Sequence, residues 1–226
     1  QRAIDEIAHD LAQPAPMHRL LQGDVGSGKT VVALSALLMA VQGGYQGAFM
    51  APTEVLAEQH FLAAREMLGA LTVESALQLG GRRPVTVALL TNRTTAAERR
   101  KLAAALAAGE CDIVIGTHAL IYSDVEFKDL GLVVIDEQHR FGVEQRALLR
   151  GRGTDPDGLV MTATPIPRTA GMLIYGDLDK SELREIPPGR TPITTTVVAP
   201  ETDAHLQAYA QLRAEVANLH QAYVVC

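Results

Sequence analysis

Tryptophan is absent from this chain, cysteine occurs only at Cys111 and Cys226, and aromatic residues make up just 4% of it. With no C-x-x-C pair and no histidine at metal-ligand spacing, the two cysteines argue against a disulfide or zinc framework and fit a reducing compartment. No apolar run approaches the ~20 residues of a membrane span. Nor does any segment show the basic, apolar and small-residue succession of a secretory leader. The expectation is a cytoplasmic chain with no membrane partner. A basic surplus is missing too. The net charge is −6, whereas nucleic-acid binders usually carry an excess of Lys and Arg that displaces counterions. Positive charge is local, at Arg82, Arg83, Arg93, Arg99, Arg100 and Lys101, then at Arg140, Arg146, Arg150 and Arg152. Most of these read as solvated helix faces.

What is present is more specific. The 47% of apolar residues, mostly Leu, Val, Ile and Ala, are ample for a packed core. The 226 residues could hold one large domain, or one domain and part of another. Residues 23–30 match G-x-x-x-x-G-K-[ST] without a deviation: Gly23, Asp24, Val25, Gly26, Ser27, Gly28, Lys29, Thr30. The glycines let successive N–H groups converge on phosphate oxygens. Thr30 opens a helix whose positive end faces the same anion. In such a loop the lysine reaches the β- and γ-phosphates and the threonine hydroxyl sits on Mg²⁺. Leu20 and Leu21 supply a strand before the loop, residues 31–39 a helix after it, and Gly43-Gly44 the stop.

A hundred residues later the apolar run Leu132 to Ile135 leads straight into Asp136 and Glu137. Asp136 is expected on the magnesium side, and Glu137 as the base that activates water. The loop and the two carboxylates, in this order, are the equipment of a nucleoside triphosphatase.

The rest of the chain alternates strands and helices, the pattern of an α/β fold with a parallel sheet covered on both faces. Strands are predicted at 48–51, 85–90, 113–115, 132–135 and 159–161, continuous in their apolar character as buried parallel strands are. Thr53 and Thr95 read as helix N-caps, with helices to about Leu68 and Gly109. Prolines and a glycine at 187–189 break regular structure and read as a connector. Beyond it a strand is predicted at 193–198, a helix at 203–220 and a strand from Ala222 to Cys226. A chain that stops inside a strand suggests a second domain only begun. Three strand ends carry hydroxyls: Pro52-Thr53, Thr117-His118 and Thr162-Ala163-Thr164. The first two suit phosphate contacts along nucleic acid and the third a link from the carboxylate loop to what lies opposite, with Arg168 placed to pair an acidic neighbour, although each taken alone reads first as a helix cap or turn. His139 reads as a γ-phosphate sensor or as a structural histidine.

Taken in order, G-D-V-G-S-G-K-T, A-P-T-E-V-L-A-E-Q-H, G-T-H-A-L, D-E-Q-H-R-F-G-V-E-Q-R and T-A-T-P-I-P-R-T resemble the first motor domain of superfamily 2 helicases. Within them the chain is similar to the RecG family of bacterial ATP-dependent DNA helicases. The likeness runs from Gln1 to Cys226 and is thinnest between Val73 and Thr94, where residues 80–84 look inserted. Transcription-repair coupling translocases are the nearest alternative. They typically carry tyrosine at the place of Ser27 and D-E-E-H at 136–139, so Ser27, Gln138 and the Pro-Gly-Arg at 188–190 favour the RecG side. A non-catalytic ATP-binding module would be marked by loss of Lys29 or Glu137, and both are present.

The resemblance implies a RecA-like P-loop domain over residues 1–186, a connector over 187–192, and the start of a second RecA-like domain over 193–226. It implies ATP and Mg²⁺ as cofactors and branched double-stranded DNA, at forks and Holliday junctions, as partner. It further implies an N-terminal wedge domain and a second motor domain beyond this sequence. By position, Lys29, Asp136 and Glu137 serve hydrolysis, and Thr30 and Asp136 the metal. Gln1 stands where an adenine-contacting glutamine precedes the loop. Pro52, Thr53, Thr117 and His118 track the DNA backbone, while His139, Thr162, Thr164 and Arg168 couple hydrolysis to domain movement.

Overall fold

The structure, a computed structural model, describes residues 1–74, 81–117, 120, 125–136, 155–163, 178–184 and 194–225. It divides into two compact units, Gln1–Pro187 and Pro188–Cys226. The first runs α1 (Arg2–Leu11), β1 (His18–Gly23), α2 (Lys29–Gln42), β2 (Gln46–Met50), α3 (Glu54–Leu68), β3 (Thr72–Glu74), β4 (Arg82–Pro84), β5 (Val87–Leu90), α4 (Ala96–Ala108), β6 (Ile113–Gly116), β7 (Leu130–Asp136), β8 (Asp157–Thr162) and β9 (Asp179–Leu183). Seven strands make one sheet in the order β5-β6-β2-β7-β8-β1-β9, with every pairing parallel.

Both faces of that sheet are buried, which is why its central strands are apolar throughout rather than alternating. One face carries Leu21, Phe49, Ile115, Val134 and Met161 against buried Leu34 and Leu37 of α2. The other carries Met50, Val114, Val133 and Ile135 against Leu106 of α4. Local chemistry sets the helix starts. The Thr53 hydroxyl accepts from the Leu56 N–H, and Thr95 with Glu98 forms a complete capping box. Gly109, left-handed at φ 76°, closes α4.

Besides the β3–β4 ribbon, two elements lie outside the sequence reading. α1 buries Ala3 and Ile7, with Ile4 and Leu11 half-buried beside them. β9 is a charged edge strand whose only fully buried side chain is Ser181. One partly buried network ties both to β1: the Arg19 guanidinium donates to Asp10 (2.7 Å) and to the Ser181 hydroxyl (3.0 Å), and that hydroxyl donates to Glu6.

Three expectations are corrected. The strand expected at 85–90 begins at Val87, because the Thr86 N–H is taken by the Asp112 carboxylate (2.8 Å) instead of a sheet neighbour. The presumed insertion is bounded by an antiparallel ribbon of β3 and β4. Arg83 on it is no solvated helix residue: its fork grips Asp112 with two bonds of 2.6 Å. In the second unit, α5 (Asp203–Ala217) forms under a Thr202 cap, but no strand forms over 194–199 or 221–225. Val197, Tyr223 and Val225 are exposed there, with no neighbouring ladder to order them. Among the described residues no helix is long and apolar enough to cross a membrane.

Candidate active site

Parallel strands bring all their carboxyl ends to one edge, and that edge collects most of the residues singled out above. From β6 across to β1, it presents in turn Thr117, Pro52-Thr53, Asp136, Thr162 and the loop after Gly23. In register, Asp136 is level with Met161 of β8, which is level with Leu21 of β1. Two strand spacings therefore separate Asp136 from the loop strand, roughly 10 Å.

The loop leaves β1 at Gly23 and enters α2 at Lys29. Gly26 and Gly28 take φ of 79° and 91°, a left-handed backbone that other residues resist. Gly28 is the N-cap, so the first free N–H groups of α2 open toward the loop. The Lys29 ammonium donates to the carbonyls of Gly23 (2.7 Å) and Asp24 (3.0 Å) and so spans the loop. The Ser27 hydroxyl oxygen is buried without a hydrogen-bond partner. A loop with an orphaned hydroxyl, a lysine held over it and a helix N-terminus behind it fits a bound polyphosphate.

A cavity of about 630 Å³ adjoins the loop, lined by Gln1, Ser27, Gly28, Val31, Leu183 and Arg184 among others. Gln1 thus borders the loop from α1, although its amide donates to Asp5 (2.9 Å) one turn along that helix. β9, unread in the sequence, supplies the wall opposite.

Asp136 is 6% exposed at the end of β7. Its Oδ2 lies 2.7 Å from Nε2 of His60, a residue of α3 that the sequence reading passed over. The signal was available: Ala57 and Ala64, at three and four residues either side, are both fully buried, so position 60 faces inward on the helix. A polar residue facing inward needs a partner.

Thr162 is completely buried and Thr117 nearly so, while Thr53 is exposed as a helix cap. Glu137, His118, His139, Thr164 and Arg168 lie outside the described residues, as do Gln138 and Cys226. Cys111 is a free, buried thiol whose pKa burial pushes up to about 12, with Asp112 adding to the effect, so it stays protonated and inert.

A parallel sheet with a phosphate loop after β1 and a buried carboxylate closing β7 is the architecture of a RecA-like P-loop ATPase domain. The sequence profile of DEAD/DEAH box helicases matches residues 1–173, and the chain belongs to that family. Curated relatives are similar over the whole chain: the ATP-dependent DNA helicases RecG of Synechocystis (50% identity), Mycobacterium tuberculosis (51%) and Bacillus subtilis (49%). The chain spans 25% to 31% of their length. Among solved structures, one of RecG bound to a three-way DNA junction matches 96% of the chain and 27% of its own, with a TM-score of 0.73 at 45% identity. The helicase MrfA bound to DNA and AMPPNP, at 18% identity and a TM-score of 0.62 over 96% of this chain and 32% of its own, shares the fold.

Proposed function

We propose that this chain is the first motor domain of an ATP-dependent DNA helicase that translocates on branched double-stranded DNA, at forks and Holliday junctions, in the cytoplasm. One observation carries the reading: an intact phosphate loop and a level, buried carboxylate in a chain half identical, from end to end, to RecG helicases. On this reading residues 1–186 form the motor domain, 187–192 the connector and 193–226 the start of the second motor domain. A wedge domain upstream completes the enzyme. The net charge of −6 fits such a division, with much of the DNA-binding surface on other parts.

ATP with Mg²⁺ supplies the phosphoryl group whose transfer to water drives movement. Lys29 exchanges its two loop carbonyls for phosphate oxygens, and the loop N–H groups from Asp24 to Thr30 enclose them. The Thr30 hydroxyl and the Asp136 carboxylate would hold the metal, and Glu137 would take the proton of the attacking water. Gln1 borders the pocket for the base. Pro52, Thr53, Thr117 and His118 meet the DNA backbone, where hydroxyls and N–H groups fix position without reading sequence. His139, Thr162, Thr164 and Arg168 link the phosphate side to domain movement.

The test uses the full chain. Lys29→Ala should abolish ATP binding by calorimetry, and a three-way junction should stimulate wild-type ATPase more than linear duplex does. Unchanged affinity in the variant removes the nucleotide site. Equal stimulation by both DNAs removes the branched substrate.

A further inference from the structure

His60 belongs to none of the roles assigned so far, yet it makes a close side-chain contact to a proposed metal carboxylate. Its side chain is 12% exposed and that of Asp136 is 9% exposed. The imidazole is fixed from a second direction by Phe49 of β2, with ring centroids 4.5 Å apart at 40°. A carboxylate has no proton to give, so the proton of the 2.7 Å contact sits on Nε2 and is donated to Oδ2. The contact joins α3 to β7 across 76 residues of sequence.

We infer that His60 is a positioning residue for the metal site: it holds one oxygen of Asp136, and with it the plane of the carboxylate, so that the group meets Mg²⁺ in a single orientation. The inference rests on the proposed nucleotide site. Its physical basis is that ligating carboxylates left without an outer hydrogen bond turn freely and bind metal less well, and loss of such a partner typically costs 10–100-fold in metal affinity or activity. Phe49 adds the second constraint, because a ring packed on another ring cannot rotate its donor away. Asp136 is thereby set by two elements: β7 delivers it, and α3 orients it.

The experiment compares two variants in the full chain. His60→Phe keeps a ring against Phe49 and deletes the donor, while His60→Gln keeps an amide donor that reaches Asp136. ATPase is measured against free Mg²⁺, and binding of Mn²⁺ to the full chain with a non-hydrolysable ATP analogue is titrated by electron paramagnetic resonance, where His60→Phe should show a loss of about 10–100-fold. The Mg²⁺ concentration for half-maximal activity should rise about 10–100-fold in His60→Phe. It should stay close to wild type in His60→Gln, with the KM for ATP at saturating metal little changed in both. Should the phenyl ring beside a carboxylate prevent folding, as melting would reveal, His60→Asn, whose amide stops short of Asp136, takes its place. A wild-type metal dependence in the donor-less variant, or an equal rise in both variants, overturns the role of His60. A wild-type enzyme whose ATPase ignores Mg²⁺ overturns the nucleotide reading instead.

Discussion

Gly23 is the last residue of β1, and a single methyl group there should cripple the phosphate loop. A Cβ at this position would lie 2.5 Å from the Ser27 hydroxyl oxygen and 2.9 Å from Cβ of Leu183. Ordinary carbon contacts sit near 3.5–4.0 Å, so both neighbours must retreat. Leu183 cannot do so by turning a side chain, because its Cβ is fixed to the backbone of β9, and Gly23 is paired with it in register. Ser27 can turn its hydroxyl about χ1, but that moves the orphaned oxygen away from the place it holds beside the loop. Overpacking of this kind costs about 1–3 kcal/mol. If all of it falls on the folded sheet, the melting temperature drops by roughly 2–12 °C. If all falls on the bound loop, affinity weakens about 5–150-fold. Gly28→Ala provides the contrast. Nothing stands within 4 Å of a Cβ there, but φ is +91°, so its cost of about 1–2 kcal/mol is purely one of backbone conformation. The assay is titration of a fluorescent ATP analogue alongside thermal melting. Gly23→Ala should lose affinity and melt earlier, whereas Gly28→Ala should leave β9 undisturbed, as read by amide exchange at 179–183. A Gly23→Ala protein with wild-type affinity and melting temperature would refute the crowding argument.

Glu137→Gln in the full chain should bind ATP and DNA normally yet lose hydrolysis by ~10²–10⁴, and an unchanged turnover would assign the water to another base. Arg83→Ala should cost about 2–3 kcal/mol at neutral pH, because it strands the Asp112 carboxylate, although Arg83 itself is a third exposed and partly screened. Burial pushes the Asp112 carboxyl up, but the Arg83 fork and two bonds from Thr86 outweigh it and hold the group below its ordinary value. That contribution is fully present above the unfolded value near 3.9 and is lost as pH falls through the lower folded value. Urea melts should therefore show the gap between variant and wild type narrowing below about pH 4, and a gap independent of pH would contradict the ion-pair account.

The parts of the fold legible in the sequence were those fixed by local chemistry. Thr53 and Thr95 mark helix starts because their hydroxyls serve N–H groups three residues on. The runs at 113–115 and 132–135 read as strands because burial on both faces leaves no polar alternation to confuse them. β9 was illegible for the opposite reason. Asp-Lys-Ser-Glu-Leu has no intrinsic strand character, and its order comes from β1 beside it. The segments at 194–199 and 221–225 have strand-forming residues but no ladder, and so no strand. At the site, the loop was plain because its three glycines, Lys29 and Thr30 fall at fixed spacing within eight positions. His60 was not, because its meaning lies in a carboxylate 76 residues away.

The place of β1 in the sheet has a consequence for how the chain is made. Among the described residues its only sheet neighbours are β8 and β9, and the Arg19–Ser181 bond that crosses to β9 spans 162 residues. At 5–20 residues per second, a ribosome needs roughly 8–30 s between the two. During that interval β5 can already pair with β6 and β6 with β2, while the strand that carries the loop has α2 to pack on but no strand to pair with. The cavity beside the loop is walled in part by Leu183 and Arg184, so it is complete only once β9 is out. Of the sheet's seven described strands, the one that carries the loop is the first in the chain and pairs only with the last two.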